Sequence, residues 1–267
     1  IIMGRSGIRA AYGTGRGKIT LRSKTSIEEI KGRNCIIVTE IPYMVNKARL
    51  VESIADLVKE KRIDGIHYIN DESGKGGMRI VIELKKDANP QVVLNKLFSY
   101  TQLQDTVGVI MLALVNGIPK VLTLKEMLEQ YIDFQVDVIT RRTKFDLNKA
   151  KEREHILKGL VIALDNIDEV IEIMKTSKNI PEAKQRLNQR FGLTDIQADH
   201  IANMTLGRLT GMERQKIIDE LAEIEVKIAD LEDILANHQR ILDIIIEEVE
   251  AIQDKFGDER RTQIENV

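Results

Sequence analysis

Residues 221–256, LAEIEVKIADLEDILANHQRILDIIIEEVEAIQDKF, decide how the second half of this chain folds. Leu221, Ile224, Ile228, Leu231 and Leu235 recur three and four apart, and Leu242, Ile245, Val249, Ile252 and Phe256 continue the series. That is a heptad seam, and a helix carrying it needs a partner. His238 interrupts the seam and reads as a polar residue setting its register. The partner is expected in the same chain. Leu160, Leu164, Ile167, Ile171 and Met174 form a second seam at the far end of a helix capped by Thr123. No Pro or Gly interrupts that helix before Gly159. Roughly 50 residues at ~1.5 Å rise would extend about 75 Å. Between the long helices, residues 179–211 hold two short ones. Pro181 sits near the start of one, and Thr194 with Gln197 forms a capping box before the other. Gly257 is expected as the C-cap of the second long helix.

The first third reads as mixed α/β. Strands are expected over Lys18–Ser23 and Asn34–Glu40, the latter a β-branched run ended by Pro42. Asn46 is the expected N-cap for a helix over Lys47–Arg62, with Leu50, Ile54, Leu57 and Val58 on one face and Gly65 at its end. Ile66–Asn70 and Met78–Lys85 read as strands joined by the Asp71–Gly77 turn, whose three glycines supply positive φ. Asn89-Pro90 starts a helix to about Tyr100. Val107–Val115 and Lys120–Leu122 read as a hairpin around Asn116-Gly117.

Composition agrees with this division. Aromatic residues make up only 4% and charged residues 31%, which suits long helices better than a sandwich or barrel. The lone Cys35 argues for a reducing compartment. No apolar run approaches the ~20 residues needed to span a bilayer, so the expectation is a cytoplasmic protein without a membrane partner. A start at Ile1 suggests a piece of a longer polypeptide. Residues 1–33 hold eight Lys or Arg against two Glu, a net of +6, while residues 213–255 carry a net of −8. A basic end on a chain acidic elsewhere points to a localised polyanion contact, with the acidic helix presenting an ordinary solvated face.

Gly13-Thr14-Gly15-Arg16-Gly17-Lys18 invites a phosphate-loop reading, but Tyr12 and Ile19 stand where that motif needs Gly and Ser or Thr. A dinucleotide-binding pattern fails at Lys18. What remains is a glycine-rich turn entering a strand, with Arg16 and Lys18 available to the phosphates of a nucleic acid. Asn70-Asp71-Glu72 lacks the spacing of a calcium loop. Four scattered histidines and one cysteine build no zinc site, and no nucleophile–base pair marks any of the five tyrosines. The residues alone therefore describe a non-catalytic module: a basic α/β platform, a long arm and a helical head.

Several strings, in order along the chain, resemble the A subunits of bacterial DNA gyrase, a type IIA topoisomerase. They are Gly7-Ile8 leading to Ala11-Tyr12-Gly13-Thr14-Gly15-Arg16-Gly17, then Glu40-Ile41-Pro42-Tyr43-Met44-Val45-Asn46-Lys47-Ala48-Arg49-Leu50 and Thr101-Gln102-Leu103-Gln104. Arg141-Arg142-Thr143, Leu209-Thr210-Gly211-Met212-Glu213 and Phe256-Gly257-Asp258-Glu259-Arg260-Arg261-Thr262 complete the set. Departures from the family pattern fall at Gly13, Val107, Ile110, Ala202, Asn203 and Thr205.

The resemblance implies an α+β chain. A mixed α/β tower (1–122) would be followed by one coiled-coil helix (123–178), a small all-α dimerisation head or C-gate (179–211), and the returning helix with a tail (212–267). It implies DNA contact by Arg5, Arg9, Arg16, Lys18 and Arg22, with Ile2 (Ile1 the one-residue alternative) as an apolar wedge between base steps. The competing reading makes that Ile simple strand core. The implied dimer contact uses Ile201, Met204, Leu206, Leu209 and Met212. The implied partners are a second copy, the B subunit of gyrase and double-stranded DNA, with Mg2+ and ATP belonging to the B subunit. The DNA-attacking tyrosine of the family lies on an upstream winged-helix domain outside these residues. The equivalent segment of topoisomerase IV, or a coiled-coil scaffold with no DNA role, stands as the alternative.

Overall fold

In a computed structural model that describes residues 1–267, the chain is a mixed α+β protein of two compact units. Unit 1 comprises Ile1–Tyr131 and Asp258–Val267, and unit 2 comprises Ile132–Gly257.

Unit 1 runs β1 (Ile2–Met3), α1 (Ser6–Thr14), β2 (Arg16–Arg22), β3 (Lys24–Ile30), β4 (Arg33–Glu40), α2 (Lys47–Lys59), β5 (Ile66–Asp71), β6 (Ile80–Leu84), α3 (Pro90–Tyr100), β7 (Gln104–Ile110), β8 (Leu112–Val115) and β9 (Ile118–Val121). One sheet has the order β3-β4-β6-β5. Its inner residues Ile36, Val38, Ile80 and Ile82 pack with Leu50, Ile54 and Leu57 of α2 and with Leu94 and Leu97 of α3. Asn46 caps α2 as expected, accepting from the Arg49 N–H at 3.0 Å. The helix stops at Lys59 rather than Arg62, because Lys61 turns left-handed at φ 57° well before Gly65. In the Asp71–Gly77 turn only Gly77 takes positive φ, so two of the three glycines are not needed for the turn.

The second sheet of unit 1 was harder to foresee. It has the order β10-β1-β2-β7, where β10 (Ile264–Glu265) comes from the far end of the chain. The expected strand from Val107 to Val115 is divided. β7 pairs with β2 through Val107↔Ile19, while β8 pairs only with β9 across the Asn116-Gly117 turn. Met111 sits at the division and donates its N–H to the Gly15 carbonyl at 2.8 Å. The glycine-rich stretch before β2 is a helix, α1, that ends where Gly15 turns left-handed at φ 80°.

Unit 2 begins within α4 (Leu124–Asp165), whose first turn is closed by a reciprocal Thr123–Glu126 cap. Its 42 residues extend about 63 Å, short of the expected length. Asn166 breaks the helix by donating its side chain to the Ile162 carbonyl, and α5 (Ile167–Thr176) follows. Then come α6 (Ile180–Phe191), α7 (Asp195–Ala202), a short 3-10 turn over Leu206–Leu209, α8 (Gly211–Ala236) and α9 (His238–Phe256). The capping box at Thr194 and Gln197 is present as expected. The second long helix is interrupted at Asn237, whose side chain caps α9 by accepting from the Gln239 N–H. His238 therefore stands exposed at a helix start, not in a seam. Gly257 has φ −61° and is not a left-handed cap.

The ion pairs Arg142–Glu248, Lys151–Glu232, Arg153–Glu220 and Arg214–Asp165 run up α4 as they run down α9 and α8, so these helices are antiparallel. Between them Ile139, Leu147 and Ala150 meet Ile228, Leu231, Ile234, Ile241 and Ile245. The interruption at Asn237 shifts the buried stripe, leaving Val249, Ile252 and Phe256 exposed. A second core, built on Leu157, Leu160, Leu164, Val170, Ile173 and Leu187, holds the short helices together. No helix of the chain is long and apolar enough to cross a membrane.

Candidate nucleic-acid interface

Strand alternation places Arg16, Lys18, Thr20 and Arg22 on one face of β2. Register then puts Met3 of β1 and Gln104 of β7 on that same face, through Met3↔Thr20 and Arg22↔Gln104. At the start of α1, Arg5 and Arg9 are four apart and so share a side of the helix. The two elements are held in close register by glycine. A Cβ on Gly7 would lie 1.9 Å from the Lys18 carbonyl oxygen, and one on Gly17 would lie 2.5 Å from the Gly7 carbonyl oxygen. Only bare backbone permits that approach.

The result is an open groove of about 580 Å³ on unit 1. Arg5, Arg9 and Arg22 bring three guanidinium groups to it. Met3, Gly4, Ser6, Thr20, Gln104, Asn266 and Val267 complete the lining. Arg22 is fixed in place. Its Nε donates to Gln104 Oε1 at 2.5 Å, and its guanidinium stacks 4.6 Å above the Phe98 ring, leaving its terminal nitrogens free. None of Arg5, Arg9, Arg16, Lys18 and Arg22 forms an ion pair, although neighbouring cations do. Lys24 pairs with Glu40 at 3.9 Å and Arg33 with Glu83 at 3.3 Å. Five cations without carboxylate partners, three of them around one concave surface, suit a polyanion such as a phosphate backbone.

The structure divides the expected site residues. Arg5, Arg9 and Arg22 come together in the groove. Arg16 and Lys18 are exposed farther along β2, on the same strand face but outside the groove lining. Ile2 is half-buried and pairs with Leu21, on the sheet face opposite Thr20 and Arg22. The apolar side chains lining the groove are those of Met3 and Val267, and Ile2 is not among them. Met3, Thr20 and Gln104 could have been found by extending the period-two pattern across the sheet. Asn266 and Val267 carried no signal in the sequence.

Several carboxylates elsewhere in unit 1 are held by cations. Asp71 is held down to about 2 by hydrogen bonds first from Lys47, at 2.8 Å, and then from Ser73. Glu72 meets Arg79 at 3.3 Å. Burial pushes the Cys35 thiol up, with Glu83 adding to the effect. No group of three or more His, Cys, Asp or Glu side chains is gathered to hold a metal ion.

On unit 2, a groove of about 330 Å³ opens between α5 and the Leu206–Leu209 turn. Ile201, expected at a subunit contact, is only 3% exposed and belongs to the core of the helical cluster. Met204 and Leu209 are half-buried against that core. Leu206 at 82% and Met212 at 77% exposure are the fully presented apolar residues.

The family model for the A subunit of DNA gyrase/topoisomerase IV matches residues 1–250. The DNA gyrase A subunit of Clostridium acetobutylicum is 60% identical over 266 residues, covering 99% of this chain and 32% of the relative. That of Halalkalibacterium halodurans is 56% identical over 263 residues, covering 98% and 32%. That of Fibrobacter succinogenes is 54% identical over 265 residues, covering 99% and 29%. The chain thus spans about a third of the length of the curated relatives it matches.

Proposed function

The chain belongs to the family of DNA gyrase/topoisomerase IV A subunits, and from that premise we propose that it is a non-catalytic part of a gyrase A subunit. In this reading it supports ATP-dependent negative supercoiling by double-strand passage. Its role is to hold the gate duplex at unit 1 and to close an exit gate through unit 2. The observation that carries the reading is the set of five unpaired cations on α1, its cap and β2, with Arg5, Arg9 and Arg22 around one groove. Such contacts neutralise phosphates, release counterions and fix the position of a duplex without reading its sequence. In the same reading Ile2 is the apolar wedge, and it must turn out of its half-buried place beside Leu21 to reach the bases.

For the exit gate, the antiparallel α4/α8–α9 pair serves as a coiled-coil arm and the α5–α7 cluster as its head. Two copies would meet across a two-fold axis through Leu206 and Met212, with Met204 and Leu209 behind them and Ile201 as the core beneath. The B subunit of gyrase is the partner that brings ATP and Mg2+. Relatives named as gyrase A subunits at 54–60% identity favour gyrase over topoisomerase IV.

The test is titration of a labelled duplex with the chain across a range of salt. Affinity should fall steeply as salt rises, and Arg5→Ala with Arg9→Ala should reduce the log–log slope by about 2. A salt-independent interaction, or none at all, would favour a scaffold without a DNA role.

A further inference from the structure

The groove on unit 1 is walled on one side by a segment that returns from the far end of the chain. The Ile2 N–H donates to the Gln263 carbonyl at 2.7 Å, and the Gly4 N–H donates to the Glu265 carbonyl at 2.8 Å. These bonds make β10 a parallel neighbour of β1, with Ile2↔Ile264 and Met3↔Glu265 in register. On its other side β1 touches β2 over only two residue pairs, Ile2↔Leu21 and Met3↔Thr20. Without β10, β1 would keep only β2 beside it and become an edge open to fraying.

Fraying would reach the cations directly. Gly4 takes φ 75° and turns the chain from β1 into Arg5 and α1, and a Cβ added there would meet the Val267 side chain at 3.9 Å. Asn266 and Val267 themselves line the groove with Arg5, Arg9 and Arg22. The carboxamide of Asn266 adds an uncharged donor beside three cations, the mixture that phosphate-backbone sites use.

We infer that the returning segment Gln263–Val267 is a wall of the cationic groove and the clamp that positions β1, Gly4 and Arg5 for a phosphate backbone. This rests on the nucleic-acid reading of the groove. Its residues act as positioning residues, with Asn266 also placed to touch the bound backbone.

The test compares Glu265→Pro with Glu265→Ala in the same chain. Both substitutions remove the carboxylate, and only proline removes the backbone N–H and fixes φ near −65°, which a paired strand does not tolerate. Amide exchange at Ile2 and Gly4 should be about 10-fold faster in the proline variant than in the alanine variant. Exchange at Ile36 and Ile82 in the other sheet should be equal in both, which establishes that unit 1 remains folded. Duplex affinity should fall roughly 5-fold in the proline variant relative to the alanine variant. Unchanged exchange at Ile2 and Gly4 overturns the clamp. Faster exchange with equal duplex affinity overturns its role in binding. The Arg5→Ala, Arg9→Ala pair separates the two readings. If that pair also leaves affinity unchanged, the groove is not the duplex site and both readings fall. If it weakens binding while Glu265→Pro does not, only the clamp is refuted.

Discussion

Gly7 and Gly13 lie in the same helix, yet alanine at the two positions should act in opposite directions. A Cβ on Gly7 would sit 1.9 Å from the Lys18 carbonyl oxygen and 2.9 Å from its carbon, whereas nothing lies within 4 Å of one on Gly13. Backbone cannot swing aside as a flexible side chain can, so Gly7→Ala must lift α1 from β2. Overpacking of this kind costs about 2–3 kcal/mol, against a gain of about 1 kcal/mol for replacing glycine inside a helix. The net is a local loss of roughly 1–2 kcal/mol for Gly7→Ala and a gain of about 0.5–1 kcal/mol for Gly13→Ala. Hydrogen exchange resolved along α1 reads both. Protection should fall about 10-fold in the first variant and rise severalfold in the second. Because Arg5 caps this helix and Arg9 lies within it, duplex affinity should weaken with Gly7→Ala and hold with Gly13→Ala. Protection moving in the same direction in both variants would refute the claim that backbone contact sets the spacing of α1 and β2.

Three single features can be tested separately. Asp71 has its folded pKa near 2, below the ordinary 3.8, so the Lys47–Asp71–Ser73 lock contributes above pH ~4 and is lost as pH falls through about 2. NMR titration should give a midpoint near 2, moving toward 3.8 in Lys47→Met. Leu206→Glu with Met212→Glu should convert the proposed dimer to monomer in sedimentation equilibrium without changing helix content, because both residues are exposed. Cys35 is 2% exposed with a raised pKa, so a thiol reagent should react with the folded chain about 100-fold more slowly than with the unfolded one.

Much of the architecture was legible where local chemistry decides it. Asn46, Asn89, Thr123 and Thr194 each cap the helix they were expected to cap. The Asn116-Gly117 turn joins β8 to β9 with both residues at positive φ. The helix breaks at Asn166 and Asn237 were hidden because the apolar spacing continues across each asparagine, although asparagine favours caps and turns. Beyond Asn237 the buried residues are Ile241 and Ile245; Ile245 keeps its place in the extrapolated heptad, whereas Val249, Ile252 and Phe256 lose theirs. Helix α1 was obscured by its glycines: Gly7 serves the close approach to β2 and not the freedom of a turn. The basic residues of the site were visible as a charge excess, but the groove was not. It depends on Gln104 and Asn266, far from Arg5 in sequence, and on a strand pairing between the two ends of the chain.

If the duplex is held by the position of the cations rather than by net charge, two charge reversals of equal size must differ in effect. The most direct measurement is duplex affinity at fixed salt for Arg5→Glu with Arg9→Glu, set against Lys86→Glu with Lys96→Glu. Both pairs change the net charge equally. Lys86 and Lys96 are exposed, belong to unit 1 and lie outside the groove lining. The first pair should abolish binding while the second weakens it only slightly. Equal losses from the two pairs would mean that the chain attracts DNA through overall charge, and would contradict the site.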